Sequence, residues 1–427
     1  MAFRGNVVEA GRAAGEEQQC SEEREFHEER EFTTEDTVCT EEEDGRCSFL
    51  SAGRERGRPV GAMFKLHAVQ AKWGDCLLVE YGAGRSQFLL VDGGFLSTYR
   101  GPLWKVLNAR VVPAGGRLER VILSHVDADH IRGLLGLFEE LNTPRRDGAP
   151  PFLSVGGLWH NPYGVTLDPE GSLERRLKRL AALPAMHNVA ILEFLQSIED
   201  GKELQRLAAE LNIPRNGDGY DPLTVEMATG AVSFDNLRLT VVGPTEANLG
   251  MLRAEWEAWL DQYEAALLRG DLGMLDNTDG SPTNQSSICL VVEADGCRML
   301  LTGDGRSDFL TEGLLARGFL DAAGRAHFDL CKLPHHGSNA NITPEFFRAV
   351  TADRYVISAN GTHGNPDYDT LVWLVEAARE QNREVEIICT NETNSTRTLV
   401  VSHPPDRNGY SIRILEPDAD SIEVALA

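Results

Sequence analysis

The sequence contains no run of about 18 apolar residues, which is the length that a membrane-spanning helix requires. Positive charge is scarce, since 41 Lys and Arg face 66 Asp and Glu and give a net charge of −25. This balance disfavours a wide basic surface for duplex nucleic acid. The 8 cysteines form no Cys-x-x-Cys pair, as expected of a reduced protein. We therefore expect neither membrane insertion, nor a broad duplex-binding face, nor a disulfide framework.

The first 62 residues lack the apolar periodicity of the remainder. They hold 16 acidic and 8 basic residues, a net charge of −8, which leaves −17 of the total −25 for residues 63–427. Low hydrophobicity with dense charge predicts a disordered extension over residues 1–62. The alternative is a segment upstream of a natural start at Met63. The sequence opens with charged residues where a secretory signal has an apolar stretch, so we expect a cytoplasmic protein.

Regular patterns begin at Met63 and predict one large folded domain over residues 63–427. Short apolar or alternating runs predict strands at residues 64–69, 76–81, 87–91, 121–124, 237–242, 287–293, 298–302, 328–333, 355–358, 385–389 and 398–401. Apolar residues at three-to-four spacing predict helices at residues 131–141, 173–183, 189–211, 246–268, 344–350 and 368–380. We interpret residues 170–270 as a helical insertion. Two mixed sheets with helices outside are the simplest architecture.

The strongest chemical signal lies between a predicted strand and the helix at residues 131–141. Four candidate metal ligands fall within six residues there, namely His125, Asp127, Asp129 and His130. A tight loop can bring such side chains to one point, and imidazole with carboxylate suits zinc, or manganese when oxygen ligands dominate. The alternative is a helix cap, in which Asp127 or Asp129 binds the first amide groups. A cap explains one acid but not two flanked by histidines.

Three other predicted strands, one before residues 125–130 and two after them, also end in acids or imidazoles. Asp304 follows one predicted strand and can bridge two cations, and the pair His335 and His336 follows another. Asp92 ends an early strand, where it can orient a ligand histidine through a hydrogen bond. Each feature alone is compatible with an ordinary turn. Together they predict a dinuclear metal site with Asp129 and Asp304 as catalytic residues.

Two other residues are candidates for contact with metal or substrate. His160 follows a short apolar run and can face the site, although a hydrogen-bonded loop histidine is the alternative. Lys332 precedes the histidine pair on an apolar strand, where it either binds a substrate anion or pairs with a buried acid. The sequence leaves both choices open.

These motifs, in this order, resemble those of the metallo-β-lactamase-fold hydrolases, and within them the ComEC-like subgroup, which includes the soluble domain of a DNA-uptake protein. The matching segments are Trp73-Gly74-Asp75-Cys76, Val91-Asp92-Gly93-Gly94, Ser124 to His130, Asn284-Gln285-Ser286-Ser287, Thr302-Gly303-Asp304 and Pro334-His335-His336-Gly337-Ser338. The resemblance spans about Met63 to Cys389. It implies an α/β fold, the αββα sandwich of two mixed sheets of five to seven strands, with metals at one edge.

The resemblance also implies roles for individual residues. His125 and Asp127 correspond to ligands of a first metal, and Asp129 and His130 to ligands of a second. Asp304 corresponds to the carboxylate between them. Two divalent ions are therefore expected, with zinc favoured and manganese as the alternative.

The remaining positions depart from the wider superfamily. Asp127 stands where most members have histidine, which makes the first site richer in oxygen. Asn284 occupies the region of the third first-site histidine and is a poor zinc ligand. His335 is favoured over His336 as the last ligand of the second site because it is nearer the strand end. His363 can substitute for a histidine that ComEC-like chains tend to have two residues later, or contact substrate as a loop residue.

The site predicts hydrolysis by a hydroxide held on one or two metals. The leading hypothesis is a phosphodiesterase or nuclease, acting on a nucleotide or on single-stranded nucleic acid. The alternatives are a metallo-hydrolase of an amide, ester or thioester, and a non-catalytic binding module with a degraded metal site. The helical insertion is the candidate surface for self-association or for a partner protein.

Overall fold

The structure is a computed structural model that describes residues 62–143, 150–182, 189–217, 221–269 and 286–426. The extension predicted at residues 1–62 lies outside these residues except for Ala62, so its disorder stays a prediction. The strands are β1 Ala62–Val69, β2 Leu77–Ala83, β3 Gln87–Val91, β4 Arg117–Leu118, β5 Arg120–Ile122, β6 Ser154–Val155, β7 Leu158–Trp159, β8 Val232–Phe234, β9 Leu237–Gly243, β10 Cys289–Ala294, β11 Cys297–Leu301, β12 Ala326–Lys332, β13 Val350–Ile357, β14 Val385–Cys389, β15 Tyr410–Ile414 and β16 Ser421–Ala425.

The strands form two large mixed sheets. The order is β16-β1-β2-β3-β5-β7 in the six-stranded sheet and β15-β14-β13-β12-β11-β10-β9-β8 in the eight-stranded sheet, and β4 pairs with β6. Strands β3, β5 and β7 run parallel to one another, as do β11 through β15. Parallel neighbours place their carboxyl ends at the same edge of a sheet. The loops after these strands therefore gather at one edge of each sheet.

Side-chain alternation along the strands separates an inner from an outer face. Phe64 and Leu66 of β1 pack in one buried cluster with Leu239 of β9 and Leu290 of β10, so this cluster lies between the two sheets. The opposite face of the first sheet, represented by Leu78, packs against helices. A third cluster covers the outer face of the second sheet with helices. The predicted layered αββα sandwich is confirmed, although the second sheet has eight strands rather than five to seven.

Helices cover both outer faces. The longer ones are Ala128–Asn142, Ser172–Ala181, Val189–Glu210, Glu246–Arg269, Ser307–Ala316, Pro344–Ala349, Tyr368–Glu380 and Asn394–Ser402, and shorter ones are Tyr163–Thr166 and Pro405–Asn408. Residues 96–111 form an irregular helical stretch with α- and π-type turns. In the part of the chain that the structure describes, no helix combines the length and the apolar character needed to cross a bilayer.

The predicted helical insertion at residues 170–270 contains three of these helices, which pack around an aromatic cluster that includes Phe194 and Trp256. It is not wholly helical, because β8 and β9 fall inside it and belong to the eight-stranded sheet. This segment thus contributes three helices and, between the second and the third helix, two strands of the eight-stranded sheet.

The strand predicted at residues 398–401 is wrong, since these residues lie in the helix Asn394–Ser402. The run of β-branched residues favours a strand when considered alone. A capping box overrides that preference: the Thr393 hydroxyl accepts a hydrogen bond from the Thr396 amide at 3.2 Å, and the Thr393 amide donates to the Thr396 hydroxyl at 2.9 Å. Local cap chemistry and burial of Leu399 therefore decide the conformation.

Candidate metal centre

Two of the four predicted ligands, His125 and Asp127, lie in the loop that connects β5 to the helix Ala128–Asn142, and the other two, Asp129 and His130, lie in the first turn of that helix. Asp127 is the extended residue that precedes the first helical turn, and its backbone carbonyl accepts the amide of Ile131 at 3.0 Å. Its side chain makes no capping hydrogen bond. Capping therefore does not account for the Asp127 carboxylate. The short loop instead leaves its acids and imidazoles pointing towards the gathered strand ends.

A close backbone approach fixes the position of this loop. The Cβ that an alanine at Gly133 would add lies 1.8 Å from the carbonyl oxygen of Gly93, so only glycine fits there. The Gly93 amide also donates to the carbonyl oxygen of His130 at 2.8 Å. The turn after β3 is thus locked to the first turn of the helix.

Three buried imidazole nitrogens converge on one carboxylate oxygen. The Nε2 atoms of His125, His130 and His336 lie 3.8, 3.4 and 3.4 Å from Oδ2 of Asp304. All three Nε2 atoms are buried and have no hydrogen-bond partner. Polar atoms buried without partners are costly, so their convergence calls for a ligand that accepts several lone pairs.

The carboxylates of Asp127 and Asp129 border this cluster on different sides. Oδ2 of Asp127 lies 3.9 Å from His125 Nε2, whereas Oδ2 of Asp129 lies 3.8 Å from His130 Nε2 and 3.5 Å from His336 Nε2. The cluster divides into two adjoining donor sets. One set holds His125, His130 and Asp304 and the other holds Asp129, His130 and His336, so His130 belongs to both. Asp127 belongs to neither set and lies beside His125.

Hydrogen bonds to the far side of each ring determine which nitrogen is available. Nδ1 of His130 lies 2.9 Å from a carboxylate oxygen of Asp92, so Nδ1 donates and Nε2 keeps its lone pair. Ser124 donates its hydroxyl to the same carboxylate at 2.7 Å and so accepts from Nδ1 of His125 at 3.0 Å. Nδ1 of His336 donates to the carbonyl oxygen of Ser358 at 2.9 Å. All three Nε2 atoms are thereby prepared as ligands.

The histidine pair after β12 adopts a strained backbone. His335 and His336 have φ values of 45° and 56°, the left-handed region that few non-glycine residues occupy. The result is that both rings turn towards Asp304. Nε2 of His335 lies 3.7 Å from Oδ2 of Asp304, while its Nδ1 donates to the side-chain oxygen of Asn341 at 2.6 Å.

The geometry bears on the choice between the two histidines. His336 is buried and its Nε2 is close to both Asp129 and Asp304, whereas Nε2 of His335 lies 3.7 Å from Asp304 and its side chain keeps 22% exposure. We therefore favour His336 over His335 as the ligand beside Asp129. His335 remains a candidate at the open side of the cluster.

Charges within the cluster compensate one another. Burial raises the pKa of Asp304, but the imidazoles of His336, His130 and His335 outweigh burial and hold it well below its usual range. Burial lowers the pKa of His130, yet the carboxylates of Asp304 and Asp129 raise it above its ordinary value. Burial and the neighbouring His130 lower the pKa of His125 to about 3. Any cation that binds here must therefore displace protons from imidazoles.

A buried ion pair supports the cluster from below. The ammonium of Lys332 pairs with the carboxylate of Asp75, donates to the carbonyl oxygen of Gly303 at 3.1 Å and lies 3.8 Å from Oδ1 of Asp304. Both partners are fully buried. Burial raises the pKa of Asp75, and Lys332 outweighs burial and lowers it. Lys332 thus takes the core-acid alternative and is not accessible to a substrate.

The family comparison agrees with this architecture. The sequence model of the metallo-beta-lactamase superfamily matches residues 74–205, a range that includes the ligand-rich loop. The match and the two helix-covered sheets decide the fold. The chain has the metallo-β-lactamase fold. A search among curated proteins gave no match.

Several solved structures are similar to the chain at low identity. A diphosphatase from the PhnP family is 11% identical, with 82% of this chain and 83% of that chain covered and a TM-score of 0.33. Zn(2+)-bound PqqB from Methylobacterium extorquens is 12% identical, with 85% and 99% covered and a TM-score of 0.36. A long-form RNase Z from yeast is 10% identical, with 78% and 37% covered and a TM-score of 0.30. Likenesses at this level carry no argument about substrate.

The metallo-β-lactamase fold implies divalent metal ions, and the residues present fit them. Metal–ligand bonds of about 2.1 Å at tetrahedral angles place two ligand atoms about 3.4 Å apart. The distances of 3.4–3.8 Å between the imidazole nitrogens and Asp304 are close to that spacing. They are too long for hydrogen bonds of normal strength. This spacing fits donor atoms that share a divalent ion.

Two predicted candidates, His160 and His363, do not belong to the donor cluster. His160 is fully buried, with neither ring nitrogen bonded, and lies beside Gly201 and Val126. It belongs to none of the potential metal-binding groups found among the described residues. His363 is exposed and contacts a tryptophan ring rather than the donor atoms. Asn284 lies outside the described residues.

The structure adds residues to which the sequence assigned no role. Asp75 and Ser124 occurred only as letters of motifs, and Asn341 was not singled out. Asn341 joins two loops, because its side-chain amide donates to the backbone carbonyl of Asp304 at 3.1 Å while its oxygen accepts from His335. A lysine on an apolar strand needs a buried acid as its partner, so Lys332 was a signal in the sequence that could have led to Asp75. Nothing in the sequence pointed to Asn341.

Proposed function

We propose that this chain is a metal-dependent hydrolase of phosphodiesters, either a phosphodiesterase or a nuclease. The observation that carries the proposal is the convergence of three buried, unbonded imidazole nitrogens on Oδ2 of Asp304. Asp127 and Asp129 add carboxylates on two sides. Two adjoining donor sets that meet at one carboxylate suit a pair of divalent ions.

The chemistry of the donors supports phosphorus rather than carbonyl carbon as the centre attacked. Asp127 replaces an imidazole with oxygen beside the first set, and this replacement also supports the ComEC-like assignment. Oxygen donors favour harder cations such as manganese beside zinc. Hard cations bind phosphoryl oxygens well, which makes a phosphodiester the better substrate.

The chain's own residues would divide the work as follows. His125 and Asp127 would hold one ion, Asp129, His130 and His336 the other, and Asp304 would contribute to both. Bound divalent ions supply a Lewis acid for phosphoryl oxygens and make water acidic enough to provide hydroxide near neutral pH.

Exposure indicates from which side a substrate arrives. The side chains of Asp127 and Asp129 keep 20% and 19% exposure and that of His335 keeps 22%, whereas those of His125 and His130 have none. The face of the cluster that is open to solvent is thus bordered by Asp127, Asp129 and His335. Asp129 is the candidate to accept a proton there, because its carboxylate is both close to the imidazoles and reachable from solvent.

The net charge bears on substrate size. A chain of net charge −25 repels a long polyanion unless local positive charge compensates. A nucleotide or a short single strand, whose phosphate is neutralised mainly by the bound ions, fits better than a duplex.

Metal analysis combined with a substrate panel tests the proposal. We expect the full-length protein to bind two equivalents of zinc or manganese and to cleave bis(p-nitrophenyl) phosphate or a single-stranded oligonucleotide. Chelation should abolish cleavage and metal restore it. Asp304→Asn should lose at least about 100-fold in rate, as expected when transition-state charge stabilisation is removed, while keeping the wild-type circular dichroism spectrum.

The matched control is Asp308→Asn, an acid on an outer helix whose partner is Arg306. It should keep full activity. Cleavage of p-nitrophenyl acetate but of no phosphodiester would move the assignment to esters. A folded protein that binds no divalent metal, or a fully active Asp304→Asn variant, would refute the hydrolase proposal.

A further inference from the structure

The ring of Trp73 contacts two other aromatic rings, those of Phe95 and His363. The ring of Trp73 lies 4.6 Å from that of Phe95 and 5.9 Å from that of His363, measured between centroids. Both contacts are T-shaped, with interplanar angles of 64° and 74°. Within the described ranges no ring stacks parallel to Trp73. His363 is exposed, and Trp73 and Phe95 are partly exposed.

The three rings come from loops that also position the donor atoms. Trp73 precedes Asp75, whose amide donates to the carbonyl oxygen of Asp129 at 3.2 Å. Between them, Gly74 packs so tightly that an added Cβ would lie 2.0 Å from that same carbonyl oxygen. The two residues that follow Trp73 thus contact the backbone of Asp129, a predicted metal ligand.

The other two rings have similar attachments. Phe95 follows Asp92 by three residues, directly after the turn that is locked to the helix carrying His130. His363 lies in the loop after β13, and the Cβ of Pro366 in that loop is 2.7 Å from the Cβ that Gly337 would carry beside His336. The segments that carry the three rings therefore contact the backbone beside Asp129, His130 and His336.

We propose that Trp73 is a specificity-determining residue that stacks against a planar ring carried by the substrate, next to the phosphate that the metal centre holds. The inference rests on the proposed function, because it takes the phosphodiester as given and names what is attached to it. The three rings come from separate loops whose backbones contact the segments that carry Asp129, His130 and His336. The rings stay at least partly exposed, held in place by T-shaped contacts.

The size of the effect follows from aromatic stacking. Base–aromatic stacking makes a ligand bind about 5- to 150-fold more tightly than its ringless counterpart, the equivalent of about 1–3 kcal/mol. The shared chemistry is a flat unsaturated ring. A nucleobase and an aryl group both provide it, and only separate ligands can tell them apart.

Calorimetric titration of the full-length, zinc-loaded protein with matched phosphates tests the inference. The ligands are thymidine 5′-monophosphate, phenyl phosphate and 2-deoxyribose 5-phosphate. We expect the ring-bearing thymidine compound to bind about tenfold more tightly than deoxyribose phosphate. Trp73→Ala should remove most of this difference, and Trp73→Phe should retain most of it. A phenyl phosphate affinity that also depends on Trp73 would identify the ring itself, rather than the nucleoside, as the recognised feature.

Trp104→Ala is the matched control, since Trp104 is a surface tryptophan with 44% exposure outside the three loops. It should change no affinity. The inference is overturned if wild-type protein shows no preference for ring-bearing ligands, if it binds none of the three phosphates, or if Trp73→Ala weakens all three equally, which indicates mere loop support. Trp73-dependent binding without any hydrolysis of bis(p-nitrophenyl) phosphate would reject the hydrolase proposal and leave the ring subsite standing.

Discussion

Replacing Asp92 by asparagine should weaken metal binding although Asp92 is not placed as a ligand. Its carboxylate accepts three hydrogen bonds: from the Ser124 amide at 2.7 Å, from the Ser124 hydroxyl at 2.7 Å and from Nδ1 of His130 at 2.9 Å. An asparagine has one acceptor oxygen. If that oxygen keeps the Ser124 amide, the side-chain NH₂ faces His130.

The consequence is a change of tautomer. Nδ1 of His130 would have to accept rather than donate, which moves the ring proton to Nε2, the atom 3.4 Å from Asp304. A protonated Nε2 cannot ligate a cation. Loss of such an orienting partner typically costs 10–100-fold in metal affinity, or about 1.4–2.7 kcal/mol. The hydroxyl of Ser124 loses its acceptor as well, which loosens His125.

Competition against a chromogenic zinc chelator measures this affinity, and a urea unfolding curve establishes that the variant is folded. Asp353→Asn is the control, because Asp353 lies 3.3 Å from His327 in a similar but exposed acid–histidine pair. It should leave zinc affinity unchanged. A folded Asp92→Asn protein that binds zinc as tightly as the wild type would refute the argument from tautomers.

Two further predictions concern buried charge. Lys332→Met and Asp75→Asn should each destabilise the fold by about 3–5 kcal/mol, since each leaves a buried charge or its partner unpaired, and the double variant should lose less than the sum of the two; strictly additive urea-unfolding energies would contradict this. Burial lowers the pKa of His160 to about 3 from its ordinary 6.5. Because the unfolded chain then binds more protons, His160 costs stability as pH falls from about 6.5 towards 3, by about 2 kcal/mol at pH 5. His160→Phe should reduce the loss of stability between pH 7 and pH 5 by about that amount, with His327→Phe as the exposed control; an unchanged pH dependence would show that His160 is not buried in its neutral form.

Much of the fold was predictable because apolar residues recur at every second position in half-buried strands and at every third or fourth position in amphipathic helices. The alternating runs that became β1 to β3 and the helical spacing that became the helix Ala128–Asn142 were both readable. Prediction failed at residues 398–401, where a capping box outweighed β-branched composition. The last strands, β15 and β16, were not predicted.

The sequence by itself determined which chemical groups are available, because ligands cluster at the ends of predicted strands and a loop of seven residues can hold four of them. Only the tertiary structure decided how they are used. The orientation of the His336 ring depends on the carbonyl of Ser358, and the burial of Lys332 depends on Asp75, which is more than 250 residues away along the chain. Sheet order and loop packing determine which of these distant residues become partners, and neither can be predicted from the local sequence.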